Sequence, residues 1–215
     1  MARSALGALR EIAGRYRAIV LGPGLSREDE TARLVKDLVR ELDKSLVLDA
    51  DGLFPYAGRI EELADAAGEL VITPHAGELG RLMGVDGARV DEDRLGCARR
   101  AAEAIGGTVV LKGARTIIAT KDGSVINRTG NPGLATAGTG DVLSGVIAAF
   151  MAQGLRAAQA AELGVYLHGL AGDIAADTFS SYAFLAGDVA DGISHAFKAL
   201  MDSRSPAGKE AGSGN

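Results

Sequence analysis

The sequence predicts an α/β fold, a mainly parallel sheet with helices on both faces. Two patterns carry that expectation. Short apolar runs rich in Val, Ile and Leu alternate with longer stretches of helical periodicity, as strands buried on both faces and their crossover helices do. Turn residues close nearly every run, and the 30 glycines gather at run ends with no fixed period, which excludes a collagen-like or low-complexity chain.

Taken in order, residues 17–21 form a buried strand that enters the tight loop Gly22-Pro23-Gly24. Residues 28–42 carry Leu34, Val35, Leu38, Val39 and Leu42 on one helical stripe. A second strand, 45–49, runs into Ala50-Asp51-Gly52, and a third, 69–73, is stopped by Pro74. Two helices are expected next, 75–83 ended by Gly84 and 91–105 ended by Gly106-Gly107. Three short runs then follow, 108–112, 116–120 and 124–127, with a hairpin turn at Lys121-Asp122-Gly123. Helices at 141–153, 157–178 and 188–201 complete the domain. The middle one is interrupted by Gly164, Gly169 and Gly172, which implies close packing. One domain over 1–202 is expected, with a small polar tail at 203–215 read as disordered.

Composition narrows the function. Apolar residues make up 47% of the chain and aromatics only 4%, so the core is built from Ala, Val, Leu and Ile. A net charge of −5 and no basic stripe interleaved with aromatics argue against a nucleic-acid partner. The single cysteine, Cys97, excludes an internal disulfide and a Cys-based zinc cluster, and reads as a plain helix residue beside Arg99 and Arg100. Apolar stretches are too short or too Gly-broken for a membrane span, and no signal-peptide h-region is present, so a cytoplasmic protein is expected.

Three strand-end loops could carry chemistry. In the first, Gly138-Thr139-Gly140-Asp141 opens an apolar helix, where unpaired amides and the helix dipole suit an anion and Gly140 lets it approach. Asp141 adds negative charge there, which suits a general base that takes a proton from a hydroxyl during phosphoryl transfer. Capping the helix is the ordinary job of Asp at such a place; the glycines and the Asn131-Pro132 turn favour catalysis. No Walker A lysine follows, and no dinucleotide fingerprint opens a first βαβ unit. In the second loop, His75 follows a strand as Thr73-Pro74-His75-Ala76-Gly77-Glu78; a histidine there can bind or protonate a substrate group, or form a capping arrangement with Glu78. His168 and His195 read as ordinary helix residues. In the third, Lys112-Gly113-Ala114-Arg115-Thr116, Lys112 and Arg115 suit nucleotide phosphates, though basic hairpin residues are more often simply solvated. Asp49 and Asp51 are candidates for Mg²⁺ or for structural turns.

Pro74–Glu78, Lys112–Thr116 and the block from Gly130-Asn131-Pro132-Gly133 to Gly138-Thr139-Gly140-Asp141 occur in an order that resembles the ADP- or ATP-dependent NAD(P)H-hydrate dehydratases of the ribokinase-like superfamily. Val20–Leu25 and Leu48–Leu53 also match, and the resemblance spans roughly 18 to 200. It implies repair of NADH or NADPH hydrated at C6 of the nicotinamide ring: phosphorylation of that hydroxyl by ADP or ATP, with ADP expected, then loss of phosphate. It further implies that Asp141 is the base and contacts the hydrate, that Gly24 and His75 help to hold the hydrate, and that Lys112, Gly113, Ala114, Arg115, Thr116 and Gly140 hold the nucleotide. Mg²⁺ and a homo-oligomer are implied as well. Family members carry several tens of residues before the Gly-Pro-Gly loop and commonly a fused epimerase domain. Here the N-terminal part is shortened: about twenty residues precede the loop, too few for another strand-helix unit. Two rival readings remain, a small-molecule kinase of the same superfamily and an inactive nucleotide-binding protein.

Overall fold

The computed structural model describes residues 5–204. Six strands form one sheet in chain order: β1 (Ala18–Leu21), β2 (Ser45–Leu48), β3 (Leu70–Ile72), β4 (Thr108–Leu111), β5 (Ile117–Thr120) and β6 (Gly123–Ile126). The first four are parallel, and β5 and β6 add as an antiparallel hairpin. Eight α-helices surround the sheet: α1 (Leu6–Ala13), α2 (Asp29–Glu41), α3 (Ala76–Met83), α4 (Gly87–Glu92), α5 (Arg94–Ile105), α6 (Thr139–Ala152), α7 (Ala157–Phe179) and α8 (Ala186–Arg204).

Strand alternation sorts the core into two layers. Leu46, Leu48, Ile72, Val109 and Leu111 join one apolar cluster with residues of α2, α3 and α5. Val47, Val71, Val110 and Ile118 point the other way and pack with Leu143, Ile147 and Val165 of α6 and α7. A strand with both faces covered cannot show a polar side, which is why these runs read as continuously apolar. Each fully buried Val or Leu contributes roughly 1.5–3 kcal/mol. The α2 stripe is buried as its spacing predicts, with Asp29 and Glu30 in the first turn and Arg40 in the last to oppose the helix dipole.

Some elements differ from expectation. The helix read over 91–105 is two helices, because Asp93 leaves helical geometry (φ −139°) and its carboxylate caps α5 by accepting the Gly96 amide at 2.9 Å. The helix α1 is additional. At the other end, α8 runs to Arg204, into the segment read as tail, and 205–215 lie outside the described residues. Close packing of α7 holds: a Cβ on Gly164 would meet Ile147, one on Gly169 would meet Thr129, and one on Gly172 would meet Leu134.

Candidate active site

The carboxyl ends of the strands converge on one polar cluster, because α6 crosses β1 and β2 and brings its first turn over them. At the end of β2, Asp49 is 1% exposed. Its Oδ1 accepts Lys112 Nζ at 2.8 Å and the Ala50 amide at 2.9 Å, and its Oδ2 accepts the Ser144 hydroxyl at 2.6 Å. Ser144 lies one turn into α6, and its Oγ is 3.1 Å from the Gly140 carbonyl and 3.5 Å from Thr73 Oγ1. Lys112, at the end of β4, also approaches Glu78 Oε2 at 3.8 Å. Residues 49, 78, 112 and 144 thus meet from four separate elements. The loop after β1 closes in as well: Gly22 lies so tight on the Asp49 carbonyl that no Cβ fits there, whereas Gly24, in left-handed geometry (φ 71°), has open space around its Cβ position.

The start of α6 lacks a side-chain cap. Its N-cap is Gly138 in left-handed geometry (φ 89°), and Asp141, third residue of the helix, is exposed and makes no hydrogen bond or ion pair among the described residues. The capping role open to Asp141 from sequence is therefore not the one it takes. A Cβ on Gly140 would meet Lys112 Nζ at 3.4 Å and Asp49 Oδ2 at 3.9 Å, contacts of ordinary length. The protein itself does not require glycine there. Space over the first-turn amides is what Gly140 leaves open.

The loop leading to this helix is pinned to α7. Asp173 accepts the Gly130 amide at 2.8 Å and Asn131 Nδ2 at 3.1 Å, and Asn131 Nδ2 also donates to the Gly172 carbonyl at 2.8 Å. Thr129 donates to the Tyr166 carbonyl at 2.8 Å. His168 of α7, buried, lies with Nε2 2.9 Å from the Thr139 carbonyl at the α6 start. Burial lowers its pKa, the bond to Thr139 opposes that, and the nearby Lys112 charge lowers it further. A neutral ring donating from Nε2 fits all three.

His75 caps α3. Its Nδ1 accepts the Gly77 and Glu78 amides at 3.1 and 3.3 Å, and Glu78 returns the arrangement by accepting the His75 amide at 2.9 Å. The ring is half exposed, and its Nε2 lies 3.5 Å from Glu78 Oε1, so Glu78 connects His75 to Lys112. Past Lys112, residues 113–115 form an exposed turn with Arg115 in left-handed geometry (φ 56°), and Thr116 donates to the Gly113 carbonyl at 3.0 Å. Arg94 supports the turn from below, donating to the Leu111 and Lys112 carbonyls at 3.3 and 3.1 Å. Arg115, Ile126 and Arg128 line a cavity of about 600 Å³ beside the β5–β6 hairpin.

Of the sequence-predicted residues, Lys112 and Gly140 come together directly, and His75 joins through Glu78. Asp141 follows Gly140, and Arg115 faces the cavity; Gly24 makes no contact with the cluster among the described residues. Asp51 is paired with Arg27 at 2.8 Å. Sequence reasoning missed Ser144, Asp173 and Arg94, each an unremarked residue in a helical pattern, and read His168 as an ordinary helix residue, whereas its ring meets the Thr139 carbonyl at the α6 start.

The family model for NAD(P)H-hydrate dehydratase matches residues 1–195. The chain belongs to this family. A bifunctional NAD(P)H-hydrate repair enzyme of Moorella thermoacetica is 46% identical over 203 residues, 94% of this chain and 38% of that protein. The ADP-dependent (S)-NAD(P)H-hydrate dehydratase of Neisseria meningitidis is 40% identical over 178 residues, 80% of this chain and 60% of that one. This family member thus spans between about a third and two thirds of the length of those relatives. The Bacillus subtilis ADP/ATP-dependent NAD(P)H-hydrate dehydratase, co-crystallised with ATP and Mg²⁺, superposes with a TM-score of 0.76 and 33% identity, covering 86% of this chain and 67% of that one. A ribokinase-like superfamily protein of Enterococcus faecalis gives 0.74 at 28% identity over 92% and 69% of the two chains. The fold is ribokinase-like.

Proposed function

We propose that this chain dehydrates hydrated NADH or NADPH in a nucleotide-dependent reaction, with Asp141 as the base. The observation that carries this reading is the idle, exposed Asp141 carboxylate beside the uncapped first turn of α6. A carboxylate with no partner of its own can accept the proton of a hydroxyl brought within hydrogen-bond reach, and the adjacent first-turn amides suit the negative charge of a transferring phosphoryl group.

In the proposed reaction Asp141 removes the proton of the C6 hydroxyl as its oxygen bonds to the terminal phosphorus of the nucleotide. The bond from that phosphorus to its bridging oxygen breaks, and AMP leaves when the donor is ADP. The C6–O bond then breaks with release of inorganic phosphate, and a proton lost from the neighbouring ring carbon restores the double bond. Gly24, His75 and Asp141 contact the hydrate; Lys112, Gly113, Ala114, Arg115, Thr116 and Gly140 hold the nucleotide, with the Arg115 cavity beside them. ADP is the proposed donor, in line with the name of the Neisseria relative.

Magnesium would neutralise phosphate charge. No group of three or more His, Cys, Asp or Glu side chains suited to a metal is present among the described residues, and both Asp49 oxygens are engaged. The residues therefore suit a magnesium ion carried on nucleotide phosphates and water and not one caged by protein. No helix among the described residues is long and apolar enough to cross a membrane; a cytoplasmic location and self-association are proposed with the activity.

The test is incubation with hydrated NADH, Mg²⁺ and either ADP or ATP, followed by the absorbance of the reduced nicotinamide. Recovery with ADP is expected. Folded protein that restores none with either nucleotide overturns the reading, and a phosphorylated alcohol that accumulates identifies a kinase instead.

A further inference from the structure

We propose that Asp49 and Ser144 are positioning residues, which hold the Lys112 ammonium against the first turn of α6 at Gly140 during phosphoryl transfer. The inference rests on the proposed dehydratase reading and assigns a task to two side chains that the reading leaves out.

Four observations support it. Asp49 is essentially inaccessible, so it cannot itself meet a ligand, yet each of its oxygens is aimed: one at Lys112 Nζ, the other at Ser144 Oγ. Lys112 retains 20% side-chain exposure, so its ammonium keeps an open face while Asp49 fixes its position. The ammonium lies beside Gly140, where the nearest atom to a built Cβ is Lys112 Nζ at 3.4 Å and the next is Asp49 Oδ2 at 3.9 Å. Ser144 is on the helix whose first turn would take the phosphoryl group, and its hydroxyl donates its one proton to Asp49 at 2.6 Å, which fixes Asp49 to that helix.

Physical cost separates this from ordinary core packing. Burying a carboxylate and half-burying an ammonium requires several kcal/mol of desolvation, which apolar residues of similar volume would avoid. A free lysine spreads its amine over many rotamers, whereas a displacement of about 1 Å in a group stabilising a transition state can cost about 10²-fold in rate. Asp49 locks the amine, and Ser144 indexes Asp49 to α6, so amine and helix start move as one unit.

The experiment is a double-mutant cycle between Ser144→Ala and Lys112→Ala, with Asp49→Asn as a third variant. Expected losses in kcat are about 100-fold for Lys112→Ala and Asp49→Asn and about 10-fold for Ser144→Ala, with KM for the hydrate within about threefold of wild type. Because Ser144 acts through Lys112, removing it in the Lys112→Ala background should cost nothing further. A readout independent of turnover is the acetylation rate of Lys112, followed by peptide mass spectrometry, which should rise severalfold in Ser144→Ala. If Asp49→Asn does not fold, the Ser144 cycle and the acetylation rate decide alone. Additive losses in the cycle, or a Lys112 that acetylates at the wild-type rate in Ser144→Ala, overturn the proposal. An inactive wild type would instead sink the dehydratase reading, and acetylation would still report on the positioning.

Discussion

Two strand-end turns of this molecule begin helices in opposite ways. At α3 the cap is closed by the turn's own side chains: His75 accepts two amides, and Glu78 accepts the one that completes the box. At α6 the cap is a glycine, and the only carboxylate of the first turn, Asp141, is engaged with nothing among the described residues. Both turns offer helix amides and a titratable side chain, and motif reading treats them alike. The difference lies in which one has chemistry left over. A satisfied turn is a fixed wall, whereas an unsatisfied one is completed by what binds to it.

The sharpest way to break that comparison is Asp141→Asn. Loss of the base should lower turnover by about 10³-fold, while thermal stability and nucleotide affinity stay near wild type. If steady-state assays find activity retained, Asp141 is no base and the contrast between the turns collapses. Gly140→Ala comes next. With Lys112 Nζ at 3.4 Å and Asp49 Oδ2 at 3.9 Å from the added Cβ, alanine should leave the folded protein as stable or slightly more so, since Ala is the better helix former. Calorimetric titration should nonetheless show ADP bound at least about tenfold more weakly, because the Cβ occupies the approach to the amides, an effect of about 1.4 kcal/mol.

Smaller effects sharpen the α3 side. His75→Ala should cost about 1 kcal/mol of stability as a lost cap, and His75→Asn should restore most of it. A rise in KM for the hydrate that persists in His75→Asn would assign the ring to substrate as well as to the cap; a KM that recovers with the cap confines it to structure. The smallest effect expected is a pH dependence through His168. Its folded pKa is lowered from 6.5, so the unfolded chain binds the proton more readily. Stability is therefore full above about pH 6.5, falls as the pH drops below it, and stops falling once the pH is under the folded pKa, with a slope of at most about 1.4 kcal/mol per pH unit. Denaturant midpoints measured from pH 7.5 to 5 should show this slope in wild type and its loss in His168→Gln.

Local chemistry was legible in the sequence where the signal is local. Buried strands announce themselves as Val-Ile-Leu runs, and Gly84 and Gly106 mark helix ends because left-handed geometry favours glycine there. The candidate loop residues were singled out by the same means, since glycines and strand ends are adjacent along the chain. Partners were not. Asp49 meets Ser144 across 95 residues and Lys112 across 63, and Asn131 meets Asp173 across 42, separations at which no spacing rule applies. Ser144 and Asp173 sit in helices whose periodicity already accounts for them, so nothing in the pattern asks for a second role. The break between α4 and α5 was hidden for a related reason: Asp93 looks like one more polar helix residue until its carboxylate is seen to accept Gly96.

The glycine ridge of α7 has a consequence for precision. Gly169 and Gly172 bring the backbone of that helix directly onto Thr129 and Leu134, so the reaction loop is located by main chain on one side of the contact. Main chain in a packed helix has no χ angles to relax, whereas side chains change rotamer on fast timescales. The loop that leads into α6 is therefore referenced to the packed backbone of α7, in the way an instrument is referenced to its bed and not to its adjustable parts.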